Sequence, residues 1–245
     1  MEQTPQTALV TGGAVRIGRA LALALARDGF DVVIHYRRNR EAAGETANRI
    51  RETGRRAWTV CGDLGRPGAA EPLFQAALDQ AGPIDVLVNN AAVFALGTLA
   101  GTAADDFEAL WRVNTLAPVL LTRAFAAHIR GRGPDAAGCV VNLLDRRIAG
   151  RCADRIAYGL SKQALAGFTR DAAAGLAPQV RVNAVAPGPV LPPPAGAPRE
   201  AAGPLPLGRR PAPEEIADAV LYLIRARSVT GQILFVDSGQ HLASA

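Results

Sequence analysis

The chain alternates short, almost continuously apolar runs with longer stretches in which apolar residues recur every three or four positions. The short runs have the length of buried parallel strands, and the longer stretches have the period of amphipathic helices. The predicted strands are Thr7–Thr11, Asp31–His35, Arg56–Cys61, Ile84–Asn89, Cys139–Leu144, Arg181–Val185 and Ile233–Val236. The predicted helices are Arg16–Asp28, Arg40–Thr53, Ala69–Ala81, Ala104–Arg130, Ile156–Leu176 and Pro213–Ile224.

This alternation predicts a single α/β domain over residues 1–245, with a Rossmann-type doubly wound fold and a seven-stranded parallel sheet flanked by helices. The carboxyl ends of parallel strands share one edge of such a sheet, and ligands bind there. One segment breaks the pattern, because residues 187–213 contain ten of the 17 prolines. We expect this segment to be a long loop over that edge, in contact with a substrate.

Composition excludes several classes of protein. No stretch approaches the roughly 20 apolar residues of a membrane span, and the first residues lack a signal-peptide layout, so we expect a cytoplasmic protein with no membrane contact. The net charge is +5, but the arginines are scattered, which argues against nucleic acid as a partner. Cys61, Cys139 and Cys152 lie far apart in sequence, which predicts neither a disulfide framework nor a metal site. Cys61 and Cys139 fall in strand-like runs and are predicted to be core residues.

A glycine-rich segment, Thr11-Gly12-Gly13-Ala14-Val15-Arg16-Ile17-Gly18, joins the first strand to the first helix. Glycines at such a position let the backbone approach a pyrophosphate held at the helix N-terminus. The spacing differs from Gly-x-Gly-x-x-Gly, and a strand-to-helix turn without a ligand remains the alternative.

The end of the second strand indicates which dinucleotide would bind. An NAD-specific site of this architecture has an acid there for the ribose 2′-hydroxyl, whereas this chain reads Tyr36-Arg37-Arg38-Asn39. Guanidinium groups pair well with phosphate, so we expect Arg16 and Arg38, with Arg37 and Asn39, to receive the 2′-phosphate of NADPH. Arginines that are merely exposed are the alternative, above all for Arg37.

The single lysine of the chain, Lys162, follows Tyr158 by four residues, and the other 26 basic residues are all arginine. Residues four apart share a face of a helix, so the phenol and the ammonium can point into one cleft. A lysine there would lower the pKa of the tyrosine toward the range of a working proton donor. An ordinary helix surface explains this spacing equally well when the spacing is taken alone.

Taken together, these motifs resemble the short-chain dehydrogenase/reductase superfamily. The glycine segment resembles its cofactor loop, and Tyr158 with Lys162 resembles its catalytic pair. Five further matches follow in the same order along the chain: Asp63, Asn89-Asn90-Ala91, Asn114, Pro187-Gly188 and Asp237-Ser238-Gly239. The resemblance covers residues 7 to 239.

The resemblance implies roles for individual residues. Asn114 would maintain a bend and a water chain for proton supply, and Lys162 would hold the nicotinamide ribose. The remaining cofactor contacts would come from Thr11, Gly12, Arg16, Ile17, Gly18, Tyr36, Arg37, Arg38, Asn39, Asp63, Leu64, Asn90, Ala91, Tyr158, Pro187, Gly188 and Val190. It also implies a homo-oligomer, a dimer or a tetramer, in which the helices at 104–130 and 156–176 pair with their copies.

Within the superfamily, the chain resembles the pteridine reductases and the related dihydromonapterin and dihydrofolate reductases. Most members have a serine near position 145, where this chain has Asp145, a group that suits a substrate with ring nitrogens. Asp145 would act with Tyr158 on the substrate, Phe94 would cover the substrate ring, and Arg16 and Leu191 would complete the substrate site. A solvated loop charge is the alternative for Asp145, and a plain core residue is the alternative for Phe94.

Two departures leave the substrate open. Ala92 replaces a serine of the pteridine reductases, and the segment 189–194 lacks the threonine that many superfamily members have. The predicted function is therefore NADPH-dependent hydride transfer to a small-molecule substrate of the pteridine type. The alternatives are a general carbonyl reductase for a 3-oxoacyl, steroid or sugar substrate, and a non-catalytic NADPH-binding regulator.

Overall fold

The computed structural model describes residues 6–192 and 203–243. Seven parallel strands form one sheet in the order β3-β2-β1-β4-β5-β6-β7, which confirms the predicted fold. The strands are β1 Thr7–Val10, β2 Asp31–Tyr36, β3 Ala57–Cys61, β4 Val86–Asn89, β5 Gly138–Leu143, β6 Val180–Pro187 and β7 Ile233–Val236. From β1 the chain first adds β2 and β3 on one side of β1 in the sheet, and then crosses back to place β4 on the other side of β1. The carboxyl ends of β1 and β4 therefore flank the crevice in which ligands bind.

Helices cover both faces of the sheet. They are α1 Arg16–Arg27, α2 Arg40–Arg51, α3 Ala70–Ala81, α4 Ala104–Trp111, α5 Ala117–Gly131, α6 Ile156–Leu176 and α7 Pro213–Arg225. Alternate strand residues point to opposite faces. Val10 accordingly packs with α1, α2 and α7 in one core cluster, whereas Leu9 packs with α3, α5 and α6 in the other.

The predicted helix over Ala104–Arg130 is two helices, because a π-helical turn at Arg112–Leu116 separates α4 from α5. Asn114 lies in this turn, and its side chain holds the backbone of Val93 with two hydrogen bonds, Oδ1 accepting from the amide at 2.8 Å and Nδ2 donating to the carbonyl at 2.9 Å. Pro118 follows at the start of α5, where its missing N–H is tolerated. The prediction of one continuous helix missed this turn. The π turn lies at the position where a bend was expected, and the role of Asn114 in proton supply stays a prediction.

The segment after β6 is only partly described. Residues 188–192 and 203–212 contain no helix or strand, in agreement with the predicted loop, and residues 193–202 lie outside the described part. Cys139 is buried as expected, but the prediction for Cys61 is wrong, because this thiol is exposed at the end of the sheet-edge strand β3. Within residues 6–192 and 203–243, no helix has both the length and the apolar character needed to cross a membrane.

Candidate active site

The glycine loop after β1 is packed tightly against the end of β4. Gly12 has a φ of +63°, and a Cβ on Gly18 would lie only 2.0 Å from the Gly12 carbonyl oxygen. The Asn90 amide donates to the carbonyls of Thr11 at 2.8 Å and Gly12 at 3.2 Å. Thr11 in turn accepts at Oγ1 from the backbone amides of Asn90 and Ala91. Glycine at positions 12 and 18 is therefore a steric requirement of this loop.

A cleft of about 350 Å³ opens between this loop and the ends of β2, β3 and β4. It is lined by Gly12, Val15, Arg16, Ile17, Gly18, His35, Arg37, Gly62, Asp63, Leu64, Asn90, Ala91, Ala92, Val93 and Val113. Nine of these residues were predicted from sequence to contact a dinucleotide: Gly12, Arg16, Ile17, Gly18, Arg37, Asp63, Leu64, Asn90 and Ala91. The narrow glycine turn at the start of α1 and the cationic rim fit an anionic dinucleotide.

The predicted phosphate-binding side chains do not all face this cleft. Arg37 lines it, whereas Arg38 is exposed and is absent from its lining. The side chain of Asn39 caps α2 by accepting from the Ala42 amide at 2.9 Å. Arg16 has a φ of +54°, and its guanidinium donates to the carbonyl of Pro192 at 3.0 Å. Arg16 therefore joins the glycine loop to the segment after β6, and the reading of the 2′-phosphate stays a prediction.

The four predicted catalytic residues lie around the carboxyl end of β5. The Tyr158 hydroxyl donates to Oδ2 of Asp145 at 3.0 Å. One turn further along α6, Lys162 Nζ donates to the Leu143 carbonyl at 2.7 Å. Asn114 reaches the same helix, where its Nδ2 donates to Oγ of Ser161 at 3.1 Å. Tyr158, Lys162 and Asn114 are all buried, so their interactions are shielded from solvent.

The prediction that Lys162 lowers the pKa of Tyr158 is wrong for this arrangement. Burial raises the pKa of Tyr158 well above 10.0, and the charge of Asp145 and its hydrogen bond with the phenol raise it further. Burial also lowers the pKa of Lys162 from 10.5 to about 8. The ammonium hydrogen-bonds to a strand carbonyl, and Tyr158 bonds to a carboxylate instead. The phenol is therefore held in its neutral, proton-bearing form.

Asp145 is held by Arg147, a residue that the sequence pattern did not single out. The Arg147 backbone amide donates to Oδ1 at 2.9 Å, and its guanidinium lies 3.1 Å from Oδ1 and 3.0 Å from Oδ2. Both side chains are largely buried, with 15% and 14% of Asp145 and Arg147 exposed. The alternative of a solvated loop charge at Asp145 is therefore wrong.

Phe94 lies against the phenol with one side open to solvent. Its ring centroid is 4.8 Å from that of Tyr158 in an edge-to-face arrangement, and 52% of the residue is exposed. The Arg155 guanidinium lies 5.5 Å from the same ring centroid, within reach of a cation–π contact. Phe94 is thus not a plain core residue, and it has an accessible aromatic surface beside the proposed proton donor.

The residues at the end of β6 and just after it that were predicted to contact cofactor or substrate do not line this cleft. Pro187 and Val190 are buried, and Leu191 packs against the core cluster around α1 and α7. A Cβ on Gly188 would lie 2.7 Å from Cα of Asp237, so this glycine is required for the turn to pass the end of β7. Their role in binding cofactor or substrate stays a prediction, as does that of Tyr36.

Comparison with known proteins identifies the family. The family described as enoyl-(acyl carrier protein) reductase matches residues 13–241, which is nearly the whole chain. The chain is a short-chain dehydrogenase/reductase. This membership confirms the predicted enzyme class.

Three relatives show how far the similarity extends. The structure of FolM alternative dihydrofolate reductase 1 from Brucella canis, complexed with NADP, has 38% sequence identity and a TM-score of 0.88, covering 97% of this chain and 94% of that one. An uncharacterised oxidoreductase of Mycobacterium tuberculosis is 37% identical over 96% of this chain and 91% of its own. A 3-oxoacyl-[acyl-carrier-protein] reductase of Synechocystis is 32% identical over 96% of this chain and 97% of its own. All three align with this short-chain dehydrogenase/reductase over almost their full length.

Proposed function

We propose that this enzyme uses NADPH to reduce a pteridine-type substrate such as a dihydropterin or dihydrofolate. The observation that carries the proposal is the hydrogen bond from the Tyr158 hydroxyl to the Asp145 carboxylate at 3.0 Å. A carboxylate beside the proton donor accepts hydrogen bonds from ring N–H and amino groups, which a simple ketone lacks. A site built for such a substrate therefore differs from a ketone site at position 145.

The roles of the residues follow from the geometry. Bound NADPH supplies the hydride. Tyr158 is neutral and buried next to Asp145, so it can give its proton to the reduced substrate. Arg147 fixes both carboxylate oxygens of Asp145 and so sets the direction in which this group meets the substrate. Phe94 offers an apolar aromatic face on which a flat heterocycle can stack.

Lys162 and Asn114 act at a distance from the substrate in this proposal. The Lys162 ammonium is buried and within hydrogen-bonding distance of only one carbonyl in the described residues, so it keeps donors for the cofactor ribose. Asn114 fixes the π turn against Val93 and Ser161, and this turn places α4 beside the site.

The similarity to the Brucella reductase supports the same choice, since that protein is an alternative dihydrofolate reductase and its structure is a complex with NADP. A general carbonyl reductase is the second candidate, and the similarity to the Synechocystis 3-oxoacyl reductase favours it. The buried and oriented Asp145 weighs in favour of the pteridine. A non-catalytic regulator is the weakest alternative, because it would not need Tyr158, Lys162 and Asn114 together.

A substrate panel tests the proposal. The purified enzyme is mixed with NADPH and either a dihydropterin, dihydrofolate or an acetoacetyl thioester, and the loss of NADPH absorbance is followed. We expect the pteridines to give the larger kcat/KM. Turnover of the thioester alone would establish the carbonyl reductase, and binding of NADPH without turnover of a broad panel would establish the regulator.

We also expect a homo-oligomer. Trp111 and Leu116, at the break between α4 and α5, and Leu160 on α6 are 46%, 40% and 46% exposed. Symmetric pairing of these helices with their copies would remove this apolar surface from water. Light scattering at micromolar concentration should give a dimer or tetramer mass, and a monomer mass would contradict the expectation.

A further inference from the structure

His35 is a buried histidine that joins two walls of the cofactor cleft. It lies on β2 directly before Tyr36 and is only 2% exposed. Its Nδ1 is 3.1 Å from the backbone nitrogen of Gly12, and its Nε2 is 3.0 Å from the carbonyl oxygen of Gly62. Gly12 belongs to the glycine loop, and Gly62 precedes Asp63, which is predicted to contact the cofactor.

The two partners determine where the imidazole proton lies. The Gly12 N–H can only donate, so Nδ1 must present a lone pair. The Gly62 carbonyl can only accept, so Nε2 must carry the hydrogen. Only the neutral Nε2–H tautomer satisfies both bonds, and a second proton on Nδ1 would face the Gly12 N–H.

We propose that neutral His35 is a positioning residue for the cofactor, and that its protonation releases the glycine loop from Gly62 and weakens NADPH binding. The inference rests on the proposed use of NADPH. Backbone bonds support the same junction, because Gly13 N donates to the His35 carbonyl and Gly62 N donates to the Tyr36 carbonyl, each at 3.0 Å. The imidazole is the one titratable link between these two segments in the described structure.

The surroundings keep the ring neutral near pH 7. Burial lowers the pKa of His35 below 6.5, and this effect exceeds the opposing effects of the Gly62 carbonyl and the charge of Asp63. Asp63, Arg16 and Arg37 are the charged groups that line the same cleft. An unfolded chain would take up a proton near pH 6.5, whereas the folded site resists it. The bonds of His35 are therefore intact above pH 6.5 and are lost as the pH falls through the lower pKa of the folded protein.

The first test measures NADPH dissociation constants between about pH 5 and 8 for the parent protein, for His35→Phe and for His128→Phe. His128 is the matched control, because burial also lowers its pKa but its ring accepts from the Ile84 amide at the opposite edge of the sheet. NADPH has its own phosphate ionisation near pH 6, so the ratio of variant to parent is compared at each pH.

We expect His35→Phe to bind NADPH about tenfold more weakly at pH 8, the effect of losing one or two hydrogen bonds. This ratio should fall toward one as the pH falls through the lowered pKa of His35, where the parent loses the same bonds. His128→Phe should give a ratio near one throughout. A ratio for His35→Phe that stays near one at pH 8, or that does not change with pH, would overturn the proposal.

A second measurement does not depend on the variant folding or on the cofactor. Nitrogen NMR of the ring in the parent protein should show the Nε2–H tautomer at pH 7 and a titration midpoint below that of free histidine. An Nδ1–H tautomer or a doubly protonated ring at pH 7 would refute the assignment. Failure of the parent to bind NADPH would count against the proposed function. The NMR result would then test only whether neutral His35 links Gly12 to Gly62.

Discussion

The proposed cofactor side and the proposed substrate side of the site are built by different kinds of contact. On the cofactor side, Gly12 and Gly18 approach each other through backbone atoms of the loop between β1 and α1, and Asn90 after β4 is hydrogen-bonded to Thr11 in that loop. On the substrate side, Asp145, Tyr158 and Phe94 meet through side chains that come from three separate segments.

This difference determines what a substitution does. The glycine loop has no room for an added side-chain atom, so a substitution there acts sterically and should weaken the binding of any dinucleotide. The side-chain cluster keeps its shape when one polar group is removed. Such a substitution should therefore lower the rate of reduction by an amount that depends on the substrate. Substitutions on the two sides should therefore separate cofactor binding from chemistry.

The largest effect is expected at the proton donor. Tyr158→Phe removes one hydroxyl from a buried ring and should lower kcat by about 10²- to 10⁴-fold, the usual contribution of a positioned acid. NADPH affinity should stay close to that of the parent, because the change is confined to the substrate side. A titration showing a matching loss of NADPH affinity would mean that the two sides are not separate.

A steric change on the cofactor side should be nearly as severe. Gly18→Ala places a methyl group 2.0 Å from the Gly12 carbonyl oxygen, and the forced backbone shift should weaken NADPH and NADH binding alike by roughly 100-fold. Gly44→Ala on α2 is the control, because nothing lies within 4 Å of its new Cβ. If calorimetry finds both alanine variants binding like the parent, the loop does not have the tight packing described.

A smaller and selective effect is expected for the predicted phosphate contact. Arg38→Ala should weaken NADPH binding by about 1.5–3 kcal/mol through lost hydrogen bonds to a charged group, and NADH binding should be almost unchanged. Arg37→Ala provides the comparison, since Arg37 lines the cleft and Arg38 does not. Equal losses for the two cofactors would show that Arg38 does not bind the phosphate, and a selective loss only in Arg37→Ala would move that role to its neighbour.

The fold and the cofactor side could be predicted because their causes are local in sequence. Apolar runs of strand length indicate buried strands directly from the sequence. The glycines at 12 and 18 indicate a turn whose backbone leaves no room for a Cβ. The π turn at Arg112–Leu116 was not predicted, because the hydrogen bonds of Asn114 that hold it join this turn to Val93 and Ser161, which are distant in sequence.

The substrate side was predicted less completely because its contacts depend on tertiary structure. Arg147 stands two residues after Asp145, but nothing in this spacing says that the guanidinium folds back on the carboxylate. The error about the pKa of Tyr158 has the same origin, because the spacing to Lys162 is visible in sequence whereas the bond to Asp145 and the burial of the phenol are not.

The most direct test of the account is Asp145→Ser assayed with a dihydropterin and with a simple ketone under saturating NADPH. This substitution would introduce the residue type common in the superfamily and remove the carboxylate that the pteridine reading requires. We predict a loss of about 10²-fold or more in kcat/KM for the dihydropterin, as for an unmet hydrogen-bonding group, with a much smaller change for the ketone. Equal losses for both substrates, or a parent enzyme that ignores dihydropterins, would contradict the central claim.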